Sequence, residues 1–273
     1  MSEALAEWLA LREHADAASR SMRLARSVAG RLTDREPLRI LDLGTGSGSN
    51  IWYLANHLGG RRQRWLAVDR DSFLLARVRD AAPTRLGERA NGVDIETREA
   101  DLGSLDFGNL VANRDLVTAS ALLDLVSDTW LQRLASHCHA VGAAVLFAIT
   151  YNGRSDCSPF EPEDEWILEL FNRHQHRDKG LGGPAAGPDA VDAAMRAFRD
   201  AGYHVDTEAT DWRLDASDIR LQRELIEGWA YAATETDPAA ADAIADWRVR
   251  RIAHVERGHS QIVVGHDDIA AWL

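Results

Sequence analysis

The spacing of apolar residues changes several times along the chain, and each change predicts a different element. Over residues 2–32 apolar side chains recur three and four positions apart, as at Leu5 and Leu9, which predicts two helices or one broken helix. Pro37 closes this segment, and the apolar run LRILDL over 38–43 predicts a strand buried on both faces. A sheet therefore begins only after an N-terminal helical extension.

Strand and helix patterns then alternate along the chain. The next predicted helices cover 51–58, 72–81 and 121–135, and the next predicted strands cover 64–69, 93–101, 114–120 and 143–150. The later periodic segments predict helices over 166–172, 190–201, 219–234 and 239–255 and strands over 203–212 and 259–272. Such alternation is typical of βαβ units and a parallel sheet. We predict an α/β domain over 37–273, a helical cap over 1–36, and a lid or substrate insertion at 151–190, where glycine and proline interrupt the pattern.

Composition limits the classes of partner. With 273 residues, 45% of them hydrophobic, the chain is long enough for one α/β domain with additions. A net charge of -12 and a pI of about 5.3 repel phosphate backbones and anionic lipid, which argues against nucleic-acid and membrane partners. The acidic N-terminus is unlike a signal peptide, and Cys138 and Cys157 provide no disulfide framework. We expect a cytoplasmic protein, for which the sequence leaves a homodimer open.

A glycine-rich loop, DLGTGSGSN over 42–50, lies between the first predicted strand and the following helix. Glycines at alternate positions let the backbone approach a ligand closely and direct amide N–H groups at it. Dinucleotide-binding loops read G-x-G-x-x-G, whereas S-adenosylmethionine-binding loops read acid-x-G-x-G-x-G. Ser49 stands where the dinucleotide pattern needs its third glycine, which favours the second reading.

Two further acids follow the loop at the ends of predicted strands. Asp69 ends the second strand, 25 residues after Gly44, where a carboxylate can accept hydrogen bonds from ribose hydroxyls in either family. Asp101 ends the third strand, where an acid can accept from the adenine amino group. Simpler alternatives exist: Asp42 and Asp69 are also suited to cap a turn or a helix, and Asp106 competes with Asp101.

The ordered combination of Asp42, the glycine loop, Asp69 and Asp101 resembles the class I S-adenosylmethionine-dependent methyltransferases, closely over residues 38–150 and more loosely beyond. The resemblance implies a Rossmann-like, seven-stranded, mostly parallel sheet with an antiparallel last strand and helices on both faces. S-adenosylmethionine would lie across the carboxyl ends of the first strands and leave as S-adenosylhomocysteine. The cofactor-binding residues implied by the resemblance are Asp42, Gly44, Thr45, Gly46, Gly48, Asp69, Arg70, Asp101, Leu102 and Ser120.

The N-terminal extension supplies one more candidate for the cofactor site. In many relatives of this fold an N-terminal helix folds over the cofactor, so we hypothesise that Arg20 reaches the methionine carboxylate and that Asp16 orients it. The alternative is an exposed ion pair between these two residues, which lie four apart on a helix.

The acceptor in this fold usually approaches over the fourth and fifth strand ends, where the sequence places several polar and aromatic residues. Asp124, Tyr151 and His174 are the candidates for a general base, which methyl transfer needs when the nucleophile carries a proton. The predicted acceptor-binding residues are Tyr151, Asn152, Trp166, His174, Arg177 and Lys179. The basic cluster around Arg177 and Lys179 suits an anionic group, unless it is only a solvated lid surface.

The leading prediction is a methyltransferase that transfers a methyl group directly to a small, anionic metabolite. No metal is predicted, because the histidine pairs in HCH (137–139) and HQH (174–176) lie two apart, on different faces of a helix, with no ligands to complete a site. The rivals are a non-catalytic protein that binds S-adenosylmethionine or S-adenosylhomocysteine, a tRNA or protein methyltransferase, and an NAD-dependent oxidoreductase. TASALLD stands where methyltransferases of planar amino groups carry Asn/Asp-Pro-Pro-Tyr/Phe, and no basic RNA-binding module is visible.

Overall fold

The computed structural model describes residues 2–104 and 106–273, so Met1 of the predicted cap lies outside the described residues. Over these residues the strands are β1 (Leu38–Leu43), β2 (Gln63–Asp69), β3 (Val93–Glu99), β4 (Leu116–Ser120), β5 (Ala144–Ser158), β6 (His204–Ala209), β7 (Trp212–Leu214) and β8 (Gln261–Trp272). The helices are α1 (Ser2–Ser19), α2 (Met22–Arg31), α3 (Ser49–His57), α4 (Ser72–Leu86), α5 (Phe107–Val111), α6 (Asp128–Val141), α7 (Asp164–Gln175), α8 (Ala190–Asp200), α9 (Ile219–Thr236) and α10 (Ala241–Glu256).

All eight strands form one sheet in the order β3-β2-β1-β4-β5-β8-β6, and β7 also pairs with β8. The first five are parallel, and β8 runs antiparallel between β5 and β6. The mostly parallel sheet with an antiparallel last strand is confirmed, but the strand count is eight rather than seven. The predicted strand over 203–212 divides because Thr210 turns inward and donates a hydrogen bond to Asp268 Oδ1 (3.1 Å).

Two other predictions about the sheet are corrected. The predicted helix over 121–135 is a 3₁₀ turn, Leu123–Leu125, followed by α6, because the Ser127 hydroxyl caps α6 by accepting from Trp130 N (3.2 Å). The fifth strand does not end at residue 150. β5 continues to Ser158 because residues 155–158 pair with β8 after two register shifts, so the first part of the predicted lid belongs to the sheet.

The N-terminal segment forms two helices, α1 and α2. They separate at Ser21, whose hydroxyl accepts from Leu24 N and whose amide donates to Asp268 Oδ2 (2.8 Å). Apolar side chains from α2 and α3 cover one face of the sheet, whereas those of α6 and α8 cover the other. A third apolar cluster joins the far part of β5 and β8 to α7, α9 and α10. The carboxyl ends of β1 and β4 thus lie between α1 and the segments that follow β5.

Candidate active site

The glycine loop connects β1 to α3 and lies beneath α1. Gly44, Gly46 and Gly48 all have positive φ, at 63°, 52° and 88°, a conformation that favours glycine. A Cβ on Gly46 would lie 3.0 Å from Leu9 of α1, and one on Gly44 would lie 3.2 Å from Leu122 after β4. The loop therefore needs glycine for its backbone and for close packing by the elements above it.

Asp69, at the end of β2, braces this loop. Its Oδ2 atom accepts from Gly46 N (2.8 Å) and its Oδ1 atom accepts from Asp71 N (3.0 Å). The alternative that Asp69 caps the next helix is wrong, because Asp71 is the residue that caps α4. Arg70 is exposed beside Asp69.

The structure also distinguishes Asp101 from Asp106, the other acid considered for the adenine end. β3 ends at Glu99, and Asp101 follows in an exposed turn where its Oδ1 atom accepts from Gly103 N (2.9 Å). Asp106, the competitor, caps α5. The Leu102 carbonyl accepts from Trp130 Nε1 (2.8 Å), which fixes this turn against α6.

A buried polar network lies under the loop. Asp42 accepts from the Thr45 hydroxyl and from Asn50 Nδ2 (2.5 Å), and burial raises the pKa of its carboxyl to about 6. Asn50 Oδ1 in turn accepts from an Arg20 guanidinium nitrogen (2.5 Å). The network links the end of α1 to the first turn of α3 through β1.

Arg20 is only 9% exposed, so the alternative of an exposed ion pair with Asp16 is wrong. Its guanidinium carbon lies 4.3 Å from the centre of the Tyr53 ring, and its buried Nε atom has no hydrogen-bond partner among the described residues. Asp16 does not orient it: the Asp16 carboxylate accepts from Arg12 through two bonds of 3.0 Å and from Trp212 Nε1 (3.1 Å). Asn50 holds Arg20 instead.

A cavity of about 240 Å³ opens between α1 and α3. Its lining includes Glu13, Asp16, Arg20, Ser49, Tyr53 and Ser120. Two predicted cofactor residues, Arg20 and Ser120, therefore face one space, with the glycine loop beside it. The arginine with a free Nε atom and the positive-φ glycines fit a ligand that carries both a carboxylate and a flat or hydroxyl-bearing group.

The acceptor candidates Asp124 and Tyr151 lie beyond the end of β4. Burial raises the pKa of the Asp124 carboxyl to about 6, while the positive charges of Arg12 and Lys179 act against that rise. Tyr151 is buried and donates to Asn172 Oδ1 (2.8 Å), and its phenol pKa is raised by burial and by the charge of Asp124. The charge of Asp124 therefore acts on both Tyr151 and Lys179.

The other predicted acceptor residues lie apart from this group. Glu235 on α9 engages His174 Nε2 (2.9 Å) and an Arg177 guanidinium nitrogen (2.6 Å), so the predicted basic cluster divides. Asn152 donates to Asp267 Oδ2 (2.6 Å), and Trp166 packs against the third apolar cluster.

Sequence reasoning missed His266, which lies opposite Tyr151 in the β5–β8 pairing. The His266 ring is 4.9 Å from the Trp212 ring, and burial lowers its pKa to about 3. In the part of the chain that the structure describes, its buried Nδ1 atom has no hydrogen-bond partner. The signal was present in the sequence: the polar run HDD interrupts the otherwise apolar last strand, IVVGHDDIAAW.

Residues 40–143 match the family model described as a methyltransferase domain. This stretch contains the glycine loop, Asp69, Asp101 and Asp124. In the sheet it forms most of β1 and all of β2, β3 and β4. The chain therefore carries a methyltransferase domain over these residues. Its fold is that of the S-adenosylmethionine-dependent methyltransferases.

Several solved structures have folds similar to that of this chain. A cyclopropane synthase, MmaA2, from Mycobacterium tuberculosis is 9% identical, with a TM-score of 0.47 over 91% of this chain and 82% of that chain. A precorrin-6y C5,15-methyltransferase from Geobacter metallireducens is 13% identical, with a TM-score of 0.46 over 91% and 87%. A magnesium protoporphyrin IX methyltransferase from Synechocystis PCC 6803, with bound S-adenosylhomocysteine, is 18% identical, with a TM-score of 0.43 over 69% and 76%. No curated protein matches the sequence.

Two other kinds of feature, a membrane-spanning helix and a metal-binding cluster, are absent from the described residues. None of the helices in residues 2–104 and 106–273 is both long and apolar enough to cross a membrane. In the same residues no three side chains of His, Cys, Asp or Glu come together as metal ligands.

Proposed function

We propose that this methyltransferase acts on a small, anionic metabolite by direct methyl displacement, with Asp124 as the general base. The observation that supports this proposal most strongly is the half-buried Asp124 carboxyl beyond the end of β4. The charge of Asp124 acts on Tyr151, and the positive charges of Arg12 and Lys179 act on Asp124. α1 covers the glycine loop, and Tyr151 is only 8% exposed. A small acceptor can enter such a covered site, whereas a folded nucleic acid or protein would have to displace its cover.

The cofactor, when bound, supplies an electrophilic methyl group on a sulfonium. In our proposal Arg20 binds the methionine carboxylate, Asp69 accepts from the ribose hydroxyls and Asp101 accepts from the adenine amino group. Arg20 directly follows α1, Asp69 ends β2 and Asp101 lies in the turn after β3, so the three residues hold the ligand at separate points and align it for in-line transfer.

Among the three candidates for the base, Asp124 has the most suitable chemistry. A carboxyl with a pKa of about 6 is ionised at neutral pH and accepts a proton more readily than an ordinary aspartate. The raised phenol pKa keeps Tyr151 protonated, which suits hydrogen-bond donation, and His174 is paired with Glu235. The charges of Arg12 and Lys179 favour an anionic acceptor near Asp124.

The test uses S-adenosylmethionine with a labelled methyl group and three separate acceptor pools: small metabolites, total RNA and protein. We expect label in the small-metabolite pool, concentrated in components that bind an anion exchanger. Asp124→Asn should reduce this transfer roughly 100-fold or more, which is within the usual contribution of a general base. The matched control is Asp128→Asn, at the exposed start of α6.

The pH dependence gives a second readout of the same proposal. Because the base must be ionised, the wild-type rate should rise as pH increases through about 6, and the residual rate of Asp124→Asn should lack that rise. Label confined to RNA or protein would contradict a small acceptor. Cofactor binding with no transfer to any pool would favour a non-catalytic binding protein.

A further inference from the structure

The cavity between α1 and α3 has side chains of both charges on its wall. Glu13, Asp16 and Arg20 line it from the side of α1, and Arg85 lines it from α4. Positions 13, 16 and 20 are three and four residues apart, a spacing that brings side chains to one side of a helix. Two acids and two arginines therefore border the space in which the proposed function places the methionine carboxylate.

Arg20 provides a cation for this space. It is nine-tenths buried, and its hydrogen-bonded partner is the neutral Asn50 amide, whose Oδ1 atom accepts at 2.5 Å. Among the described residues its Nε atom has no hydrogen-bond partner. Buried charges are normally paired, so an arginine that lines a cavity with an unused donor is suited to bind an anionic group of a ligand.

Asp42, the acid that the glycine-loop pattern implies for the cofactor, does not reach this space. It is 1% exposed and is not part of the cavity wall. One of its oxygens accepts from the Thr45 hydroxyl, and the other accepts from Asn50 Nδ2 (2.5 Å). Asp42 therefore supports the loop and Asn50, and another acid has to provide the negative charge for an ammonium group.

Of the two acids on the wall, Glu13 is the one with an available oxygen. Both Asp16 oxygens are occupied, because they accept from Arg12 and from Trp212 Nε1. Glu13 is half-buried, and its Oε1 atom accepts from Arg85. In the part of the chain that the structure describes, the Glu13 Oε2 atom has no hydrogen-bond partner. Arg85 thus holds one oxygen of Glu13 and leaves the other available at the cavity.

We propose that this cavity binds the amino-acid end of the cofactor as a zwitterion, with Arg20 on the carboxylate and Glu13 Oε2 on the ammonium group. The inference rests on the proposed function, which assigns the carboxylate to Arg20. It adds a specificity-determining residue for the amino group, and it places that residue on α1 rather than in the glycine loop. A wall with both charges favours a zwitterion, because each charged end gains a charge-assisted hydrogen bond.

Four ligands separate the two charged groups of the amino-acid end. S-adenosylhomocysteine has both groups, one analogue lacks the carboxylate, a second lacks the amino group, and 5′-methylthioadenosine lacks both. Glu13→Gln keeps an acceptor for Arg85 but loses the charge. In calorimetric titrations it should weaken binding of the two ligands that carry an ammonium group by roughly 10- to 100-fold, the effect of losing a hydrogen bond to a charged group. Its affinity for the other two ligands should equal that of the wild-type protein.

Two control variants separate ammonium binding from the fit of α1. Glu7→Gln changes an exposed glutamate of the same helix, which pairs with Arg220 at 3.8 Å, and should leave all four affinities unchanged. Arg85→Gln breaks the ion pair with Glu13 but keeps the Glu13 carboxylate, so it should not reproduce the selective loss. An equal loss for all four ligands in Glu13→Gln and Arg85→Gln would mean that the ion pair only closes α1, and would overturn the inference. Unchanged affinities in Glu13→Gln would also overturn it.

The same titrations distinguish this inference from the proposed function. If the wild-type protein binds S-adenosylhomocysteine and the analogue without an amino group with equal affinity, the ammonium site is wrong while the cofactor assignment stands. If the selective loss occurs but no acceptor pool is methylated, the ammonium site stands and the proposed catalysis is wrong. Binding of none of the four ligands would contradict both.

Discussion

The proposed cofactor site at the glycine loop and the region where the last strand enters the sheet are built from contacts of very different reach along the chain. On the cofactor side the bracing bonds, from Gly46 to Asp69 and from Asn50 to Asp42, join residues 23 and 8 positions apart. Where the last strand enters the sheet, Asp268 accepts from Ile149 N and Ser21 N, which are 119 and 247 positions away. Local sequence can specify the first arrangement, whereas the second forms only when the last strand enters the sheet.

The backbone shows the same difference. β1 pairs with β2 without any shift in register, but β5 and β8 shift twice, between Phe147 and Thr150 and between Tyr151 and Ser155. Ile149 lies in the first shift with φ of 53°, a conformation that is strained for a β-branched residue. The hydrogen bond from Ile149 N to Asp268 Oδ1 (2.8 Å) holds it there. Strain where the last strand enters the sheet thus depends on one buried carboxylate.

The largest effect that we expect comes from removing that carboxylate. Asp268 is 2% exposed and accepts from two backbone amides and the Thr210 hydroxyl. Asp268→Ala leaves these donors without their acceptor and removes a negative charge near the buried Arg20, so it should lower the free energy of unfolding by about 3–5 kcal/mol. Urea denaturation measures the change.

Asp267→Ala is the control for this prediction. Asp267 lies on the same strand, is half-buried and hydrogen-bonds the Asn152 side chain. We expect a much smaller loss. Equal destabilisation by the two substitutions would mean that Asp268 is not the link between the N-terminal helices and β5.

The next prediction concerns which end of the cofactor Arg20 binds. Arg20→Met should weaken binding of S-adenosylhomocysteine roughly 10- to 100-fold, because a hydrogen bond to a charged group contributes about 1.5–3 kcal/mol. Binding of 5′-methylthioadenosine, which has no amino-acid group, should change little. Calorimetry measures both affinities, and Arg23→Met is the control because Arg23 is exposed and pairs with Asp206 and Glu208. An equal loss for both ligands would remove Arg20 from the carboxylate site.

The smallest effect concerns the stability cost of the buried Asp42. Its folded-state pKa of about 6 lies above the ordinary aspartate value of 3.8, so protonation favours the folded state and stability is lost as pH rises through about 6. Asp42→Asn has no such titration. Between pH 4 and pH 7.5 the unfolding free energy should therefore change in favour of the variant by on the order of 2 kcal/mol. Parallel denaturation curves at the two pH values test this, and an unchanged difference would contradict the raised pKa.

The parts of the molecule that the sequence predicts well are those whose signal is local. The first four strands, the glycine loop and Asp69 follow from the run LRILDL and from the spacing of glycines and acids. The sequence fits two helices or one broken helix over residues 2–32. In the structure two helices separate at Ser21, a good capping residue.

The acceptor side could not be predicted in the same way. The continuation of β5 to Ser158 depends on pairing with β8, more than 100 positions later. The predicted basic cluster divides because Glu235, on a distant helix, binds Arg177 and His174. The eighth strand depends on Thr210 turning toward Asp268. No pattern within 151–190 specifies any of these partners.

The proposed function depends above all on the binding of S-adenosylmethionine by the glycine loop and Asp69. Calorimetric titration with S-adenosylmethionine, S-adenosylhomocysteine and NAD, on the wild-type protein, Asp69→Ala and the exposed control Asp94→Ala, tests it most directly. We predict that the two sulfur ligands bind the wild type and the control, that Asp69→Ala loses this binding, and that NAD binds none of them. Binding of NAD alone would contradict this mode of cofactor binding. So would an affinity of Asp69→Ala for S-adenosylhomocysteine equal to that of the wild-type protein.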